Sequence, residues 1–364
     1  MPRDGRSRLL PCETLWGRCE RREGPPRLRR FGEATYLPFR LDEGADQAAG
    51  DRPWGLYARD GNRLGEGRDP APGEALPDAE PVPAEPLLYI GRLAFHYGHF
   101  IVNTLPHLWP LVGWRGPRPR LLCHAPRVSW AGFDFLPAIL ARLGYGIDDL
   151  VTFERPVRLA DVLVPDPALV EQEAVHPVFA DLCRAIGDGL WEPGAVDGVS
   201  RPAYLAKTRL SAGITRLVNE GEIAGELERR GVEIVHPEAL DFAAQVRLLS
   251  TRRIVLGTVG SAFHSTAFAA PGRRLVGLNW QPALNANFPL IDGLNGTRAR
   301  YYHAAATRYP ERGAFEVAWE VPDPRGLACA LLERAERLDR GEPEPGSRSG
   351  RFGLRGILNR LRAS

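Results

Sequence analysis

Lysine is almost missing from the 364-residue sequence: Lys207 is the only one, and arginine supplies the rest of the 47 Lys and Arg side chains. No Asp-x-Asp occurs, so the usual bridge between a divalent cation and a diphosphate is missing. The five cysteines (Cys12, Cys19, Cys123, Cys183, Cys329) are odd in number and form no Cys-x-x-Cys, so neither a disulfide framework nor a zinc site is indicated. No run reaches the ~18 apolar residues of a membrane span, and Met1 to Leu10 holds no hydrophobic signal core; the chain reads as cytoplasmic. A formal charge of +2 is too small to suggest a nucleic-acid partner. What remains, 44% apolar and 25% charged residues, is close to an average soluble globular protein and leaves an enzyme or a binding protein.

At ~100–200 residues per domain the length suits two domains. Residues 1–86 read as an irregular N-terminal extension: glycine and proline recur, six prolines fall between Pro70 and Pro86, and only Tyr36–Leu41 and Trp54–Tyr57 suggest a small sheet. From Leu87 the pattern changes to β runs alternating with helical ones, the signature of βα units. Leu87–Gly91, Arg120–Cys123, Val151–Phe153 and Val162–Val164 read as strands; His99–Val112, Phe135–Leu143 and Phe179–Trp191 read as helices. After a hinge at Glu192–Pro202 the alternation restarts. Its strands are Ala203–Lys207, Val232–Val235, Arg253–Gly257 and Arg274–Leu278; its helices are Asn219–Arg230, Asp241–Leu249, Ser261–Ala269 and Pro324–Leu338. The expectation is an α/β protein of two Rossmann-like domains, 87–198 and 199–338, followed by a tail over 339–364.

Three segments carry candidate chemistry. In His96–Trp109, Ile101, Leu105, Leu108 and Val112 would form one helix face, with His99, Asn103 and His107 on another. His99, near the carboxyl end of the sheet, is a candidate general base, because imidazole titrates near neutral pH. A His-x-x-His metal pair finds no carboxylate or cysteine on the same helix to complete it. In the second segment, Ile254–Thr266, a hydrophobic strand turns through Gly257 and Gly260 into a helix. The free N–H groups of such a start favour a diphosphate, with Ser261 able to cap the helix or bond an oxygen. Any tight βα connection needs similar glycines, so the pattern alone does not separate packing from binding. The third, Tyr204–Leu210, delivers Lys207 and Arg209 just past a strand, where cations could hold a departing diphosphate or simply meet solvent. In the tail, Leu354, Ile357, Leu358 and Leu361 fall at helical spacing among arginines, so residues 348–364 suit either an anionic membrane surface or a disordered, self-docking end.

Three ordered blocks together resemble glycosyltransferase family 61, which includes bacterial capsular polysaccharide biosynthesis proteins. They are His99-Phe100 running to Leu105-Pro106; Tyr204–Arg209 with Arg216, Asn219-Glu220, Gly231–Val235, Pro237-Glu238 and Gln245; and Gly257 with Gly260-Ser261-Ala262 through Phe268. The resemblance implies a GT-B-like pair of domains facing each other across a cleft, the front one for acceptor and the rear one for donor. It also implies sugar transfer with inversion from a nucleotide-sugar co-substrate to a glycan or lipid-linked glycan, without a metal; the basic tail over 348–364 would allow such a cytoplasmic protein to sit at the inner face of the plasma membrane. Lys207, Arg209, Gly257, Gly260, Ser261 and His264 would then face the donor diphosphate. Two positions depart from the family pattern. Asn103 stands where an acidic residue is frequent, leaving the base to His99 or to a carboxylate such as Glu220; His264 stands where a small or Asn-like residue is frequent. Asn103 also keeps open a catalytically inactive glycan- or nucleotide-binding subunit. A nicotinamide oxidoreductase ranks last, since no Gly-x-Gly-x-x-Gly opens a helix.

Overall fold

The computed structural model describes residues 8–39, 52–125, 133–210, 215–312 and 316–344, so the basic segment 348–364 lies outside the described residues. Two separate parallel sheets organise the chain, one in the front half and one in the rear. Their central strands, Leu87–Arg92 and Val255–Thr258, are almost wholly buried, as strands covered on both faces must be.

The rear sheet contains five parallel strands, Ala203–Leu205, Glu233–Val235, Val255–Thr258, Arg274–Asn279 and Arg298–Ala304. Numbered in chain order they lie side by side as 2-1-3-4-5, the flavodoxin-like doubly wound order. Side chains alternate across it. Tyr204, Leu256 and Val276 pack against Ile223 and Leu227 of helix Glu220–Arg229 and Leu331 of helix Pro324–Asp339. On the other face Leu205, Val255 and Leu275 pack against Leu249 of helix Phe242–Thr251 and Phe263. The expected helix over Ser261–Ala269 is a 3₁₀ helix, Ser261–Phe268.

The front sheet has four parallel strands, Leu87–Arg92, Arg120–His124, Leu150–Val151 and Val162–Pro165, in the order 3-2-1-4. One face, with Leu88, Ile90 and Leu121, packs on Phe100, Leu136, Ile139 and Phe179 of helical segments. The other face departs from a Rossmann layer. Leu87, Tyr89 and Val162 pack on Tyr36, Leu56 and Leu159, which belong to a small sheet of Ala34–Leu37, Gly55–Ala58, Glu80–Pro81 and Val157–Leu159.

The small sheet expected around Tyr36–Leu41 and Trp54–Tyr57 is present as Ala34–Leu37 and Gly55–Ala58, while the rest of the segment 1–86, where described, is less irregular than expected. Besides supplying that covering layer, the segment adds Leu28–Phe31 to the front sheet and Leu9–Pro11 to the rear one, both antiparallel at an edge. Strands of two to four residues whose partners lie far along the chain leave no periodicity to read.

The helix expected over His99–Val112 is instead a chain of short turns: Tyr97–His99, a π-helical Phe100–Thr104, then Leu105–His107 and Trp109–Leu111. Pro106 and Pro110 explain the break, because neither has an N–H for the α-helical ladder. The carbonyl that Pro110 leaves free, on Pro106, accepts instead from the Ala168 N–H at 2.9 Å, and the Trp109 indole N–H donates to the Asp166 carbonyl at 3.0 Å. Broken helix geometry thus fastens the loop after strand Val162–Pro165 against the segment that holds His99.

The halves meet through apolar packing. Phe179, Leu182 and Ile186 of helix Pro177–Gly187 belong to one buried cluster with Phe242, Val246 and Phe268 of the rear half. At its end, Gly187 lies directly against the Phe268 carbonyl, leaving no room for a Cβ. Gly187→Ala should therefore cost about 1–3 kcal/mol in chemical denaturation, the usual penalty for overpacking. Unchanged stability would show that this contact is not close-packed.

Candidate functional site

In open α/β sheets ligands bind beyond the carboxyl ends of the strands where the strand order reverses. In the rear sheet that point lies between Ala203–Leu205 and Val255–Thr258. Lys207 follows the first of these strands and Gly260 the second. In the front sheet it lies between Leu87–Arg92 and Val162–Pro165, and the chain leaving those two strands carries His96 and His99 on one side and Glu171 on the other. The two points adjoin. A Cβ on Gly98 would stand 2.9 Å from Ser261 Cβ, and the Tyr97 and Ser265 hydroxyls share a hydrogen bond of 2.7 Å.

Lys207 is half-buried, and its ammonium donates to the Val259 carbonyl at 2.7 Å. Gly260 leaves the space it fills: a side chain there would collide with Lys207 Nζ and Cε. Burial lowers the Lys207 pKa to about 8 against the opposing pull of the Glu220 carboxylate. Val259 takes one of its three N–H donors, and among the described residues no other acceptor is bonded to it.

Glu220 has a different place from the one expected of a base. It is 2% exposed, and its carboxylate accepts from the Tyr204 hydroxyl (3.0 Å), the Thr258 hydroxyl (3.1 Å) and the Lys207 backbone N–H (3.1 Å). Burial raises its pKa, opposed by the Tyr204 hydrogen bond and the Lys207 charge. With these donors around it, the Glu220 carboxylate is enclosed within the rear half.

Gly257 belongs to the strand and its packing, since a Cβ there would stand 2.9 Å from the Leu205 carbonyl. Gly260 and Ser261 form the turn into the 3₁₀ helix, whose first N–H groups have no partner inside the helix and no side-chain cap. His264 is 6% exposed, stacked on Phe288 at 4.8 Å, and buried at Nδ1 without a partner. Burial first, then the nearby His96 and His99, lowers its pKa to about 3, so it contributes a neutral imidazole. Arg209 lies in the exposed stretch Thr208–Leu210, with no hydrogen bond or ion pair to a described residue.

His99 is exposed, and its Nδ1 meets Asn103 Oδ1 at 3.2 Å. Asn103 in turn donates from Nδ2 to Glu171 Oε2 at 2.9 Å. His107, the third polar residue expected on this face, is withdrawn into the packing, where burial lowers its pKa.

Sequence reasoning missed His96 and Glu171. His96 is exposed, lies edge-on to His99 with ring centroids 5.4 Å apart, and has its pKa lowered by burial and by the charges of His99 and Lys207. Its signal was available, three residues ahead of His99 in the same motif. Glu171 had none, standing 68 positions from Asn103 in a stretch without periodicity. Among the described residues no three His, Cys, Asp or Glu side chains are grouped to hold a metal ion. No helix among them is long and apolar enough to cross a membrane.

The site therefore sets an ammonium and free backbone N–H groups from the rear half against two imidazoles from the front half. One side suits an anionic leaving group, the other a proton transfer. No curated protein matches the chain. Residues 97–276, a segment that includes every candidate residue except His96, match the family model described as Glycosyltransferase 61. Over those residues, just under half of its length, the chain is similar to glycosyltransferase family 61.

Proposed function

We propose that the chain is an inverting, metal-independent glycosyltransferase that moves a sugar from a nucleotide-sugar donor to a glycan acceptor in the building of a surface or capsular polysaccharide. The observation that carries this reading is the Lys207 ammonium at one switch point, held on the Val259 carbonyl, with the other switch point adjoining it through Gly98 against Ser261 and the Tyr97–Ser265 hydrogen bond. The halves then act as in a GT-B enzyme, the rear one holding the donor and the front one the acceptor.

In this reaction the acceptor hydroxyl oxygen attacks the anomeric carbon as the bond from that carbon to the diphosphate oxygen breaks. The electron pair of the broken bond leaves with the nucleoside diphosphate. The hydroxyl proton passes to Nε2 of His99, on the face opposite the leaving group, which gives inversion. Lys207 and the N–H groups of the Gly260–Ser261 turn take up the charge that develops on the diphosphate. Glu220 acts one layer deeper, holding Lys207 at the strand end.

Two experiments test this. With purified protein and a panel of nucleotide sugars, one donor should raise the melting temperature and support transfer, and His99→Ala should cut kcat at least ~100-fold. Failure of every donor to bind would refute the proposal, and undiminished transfer by His99→Ala would remove His99 as the base. The second concerns pH. An ammonium with its pKa near 8 loses charge as pH rises through that value, so affinity for a nucleoside diphosphate should fall from about pH 7 to about pH 9. Lys207→Arg, charged throughout, should flatten that slope in titration calorimetry; an equal slope in both proteins would show that another group titrates.

A further inference from the structure

The side chains behind His99 form a directional chain. A carboxylate accepts and does not donate, so the Asn103 amide must turn its NH₂ toward Glu171 Oε2, at 2.9 Å. This leaves Asn103 Oδ1 facing His99 Nδ1 at 3.2 Å. An amide oxygen also accepts only, so in a neutral His99 the proton sits on Nδ1 and Nε2 carries the free lone pair.

Glu171 is itself held from behind. Its Oε1 accepts from Asn287 Nδ2 at 3.3 Å, and Asn287 is oriented because its Oδ1 accepts from the Gln172 backbone N–H at 2.6 Å. Glu171 opens the tight turn between strands Leu169–Val170 and Ala174–Val175, closed by the Glu173 N–H on the Val170 carbonyl. Gln172 in that turn has φ of 56°, a conformation non-glycine residues seldom adopt. Its carbonyl is fixed too, accepting from the Arg18 N–H at 2.7 Å.

We propose that Glu171 is a positioning residue: acting through the Asn103 amide, it holds His99 in the Nδ1–H tautomer and leaves Nε2 as the proton acceptor. That Nε2 then serves as the base of sugar transfer rests on the function proposed above; the tautomer itself does not. Asn103 thus becomes the middle of the chain, with its carboxylate one residue further away.

The test is the histidine ring ¹H–¹⁵N spectrum of the full-length, ligand-free protein, with His99 assigned by the loss of its signals in His99→Gln. Wild type should show His99 as the Nδ1–H tautomer. In Glu171→Ala the Asn103 amide is free to turn, and the Nε2–H tautomer should become the major form. Adding Asn103→Asp to Glu171→Ala sets an acceptor-only group directly against Nδ1 and should restore the Nδ1–H form. The same Asp in the wild-type background faces Glu171 and should disturb it. In transfer assays Glu171→Ala should lower kcat about tenfold or more with the donor KM unchanged, and the double variant should recover part of it.

An Nε2–H His99 in wild type, or a tautomer indifferent to Glu171→Ala, would overturn the relay. If Glu171→Ala unfolds the chain, the wild-type spectrum decides: Nδ1–H supports the relay and Nε2–H overturns it. Tautomers behaving as expected in a protein that transfers no sugar would uphold the relay and refute the enzyme reading.

Discussion

One buried carboxylate, Glu220, sets the rear half of the site. A lysine ammonium drawn out of water is costly, and Glu220 beneath it offsets that cost only because Tyr204, Thr258 and the Lys207 backbone all donate to the carboxylate. The arrangement dictates its surroundings. Tyr204 and Thr258 must sit on neighbouring strands, Glu220 must open the helix that follows, and position 260 must be glycine, because Lys207 occupies the space a side chain would need. The ammonium, its pKa lowered to about 8, lies on the Val259 carbonyl beside Gly260, at the turn that starts the 3₁₀ helix.

The front half supplies the complementary chemistry by the same topological device. Its strand order reverses between Leu87–Arg92 and Val162–Pro165, and the loops leaving these strands are bound together through the Pro106 carbonyl and the Trp109 indole. Apolar packing of helix Pro177–Gly187 on Phe268 accompanies the contact of the two switch points, where Gly98 lies against Ser261 and Tyr97 bonds Ser265. Close packing in the middle fixes distances at the rim.

The legible part of this molecule was the part written in local patterns. In the rear half, β runs and helical stretches alternate in sequence and pair with near neighbours, and Lys207, Gly260 and Ser261 could be placed because each ends or begins such a run. The front sheet's parallel strands were legible for the same reason. Residues 1–86 were not, since strands as short as Glu80–Pro81 acquire meaning only from partners such as Val157 and Arg158. The π turn at Phe100–Thr104 was hidden because the pattern of apolar residues is helical whatever the ladder behind it. Glu220 stands near Lys207 in sequence, but spacing does not reveal that its carboxylate is buried. Glu171 is the clearest case: a hairpin turn with an unusual φ brings it to Asn103, and no local signal encodes that meeting.

Because the chain has a single lysine, the group at the centre of this account can be watched directly. Protein labelled with ¹³C at lysine Cε should give one resonance, whose titration in the free protein is depressed from the ordinary lysine value. A nucleoside diphosphate should shift that resonance saturably and raise its pKa as the anion pairs with the ammonium. A resonance that titrates like an exposed lysine, or that ignores the nucleotide up to saturation, would contradict the account.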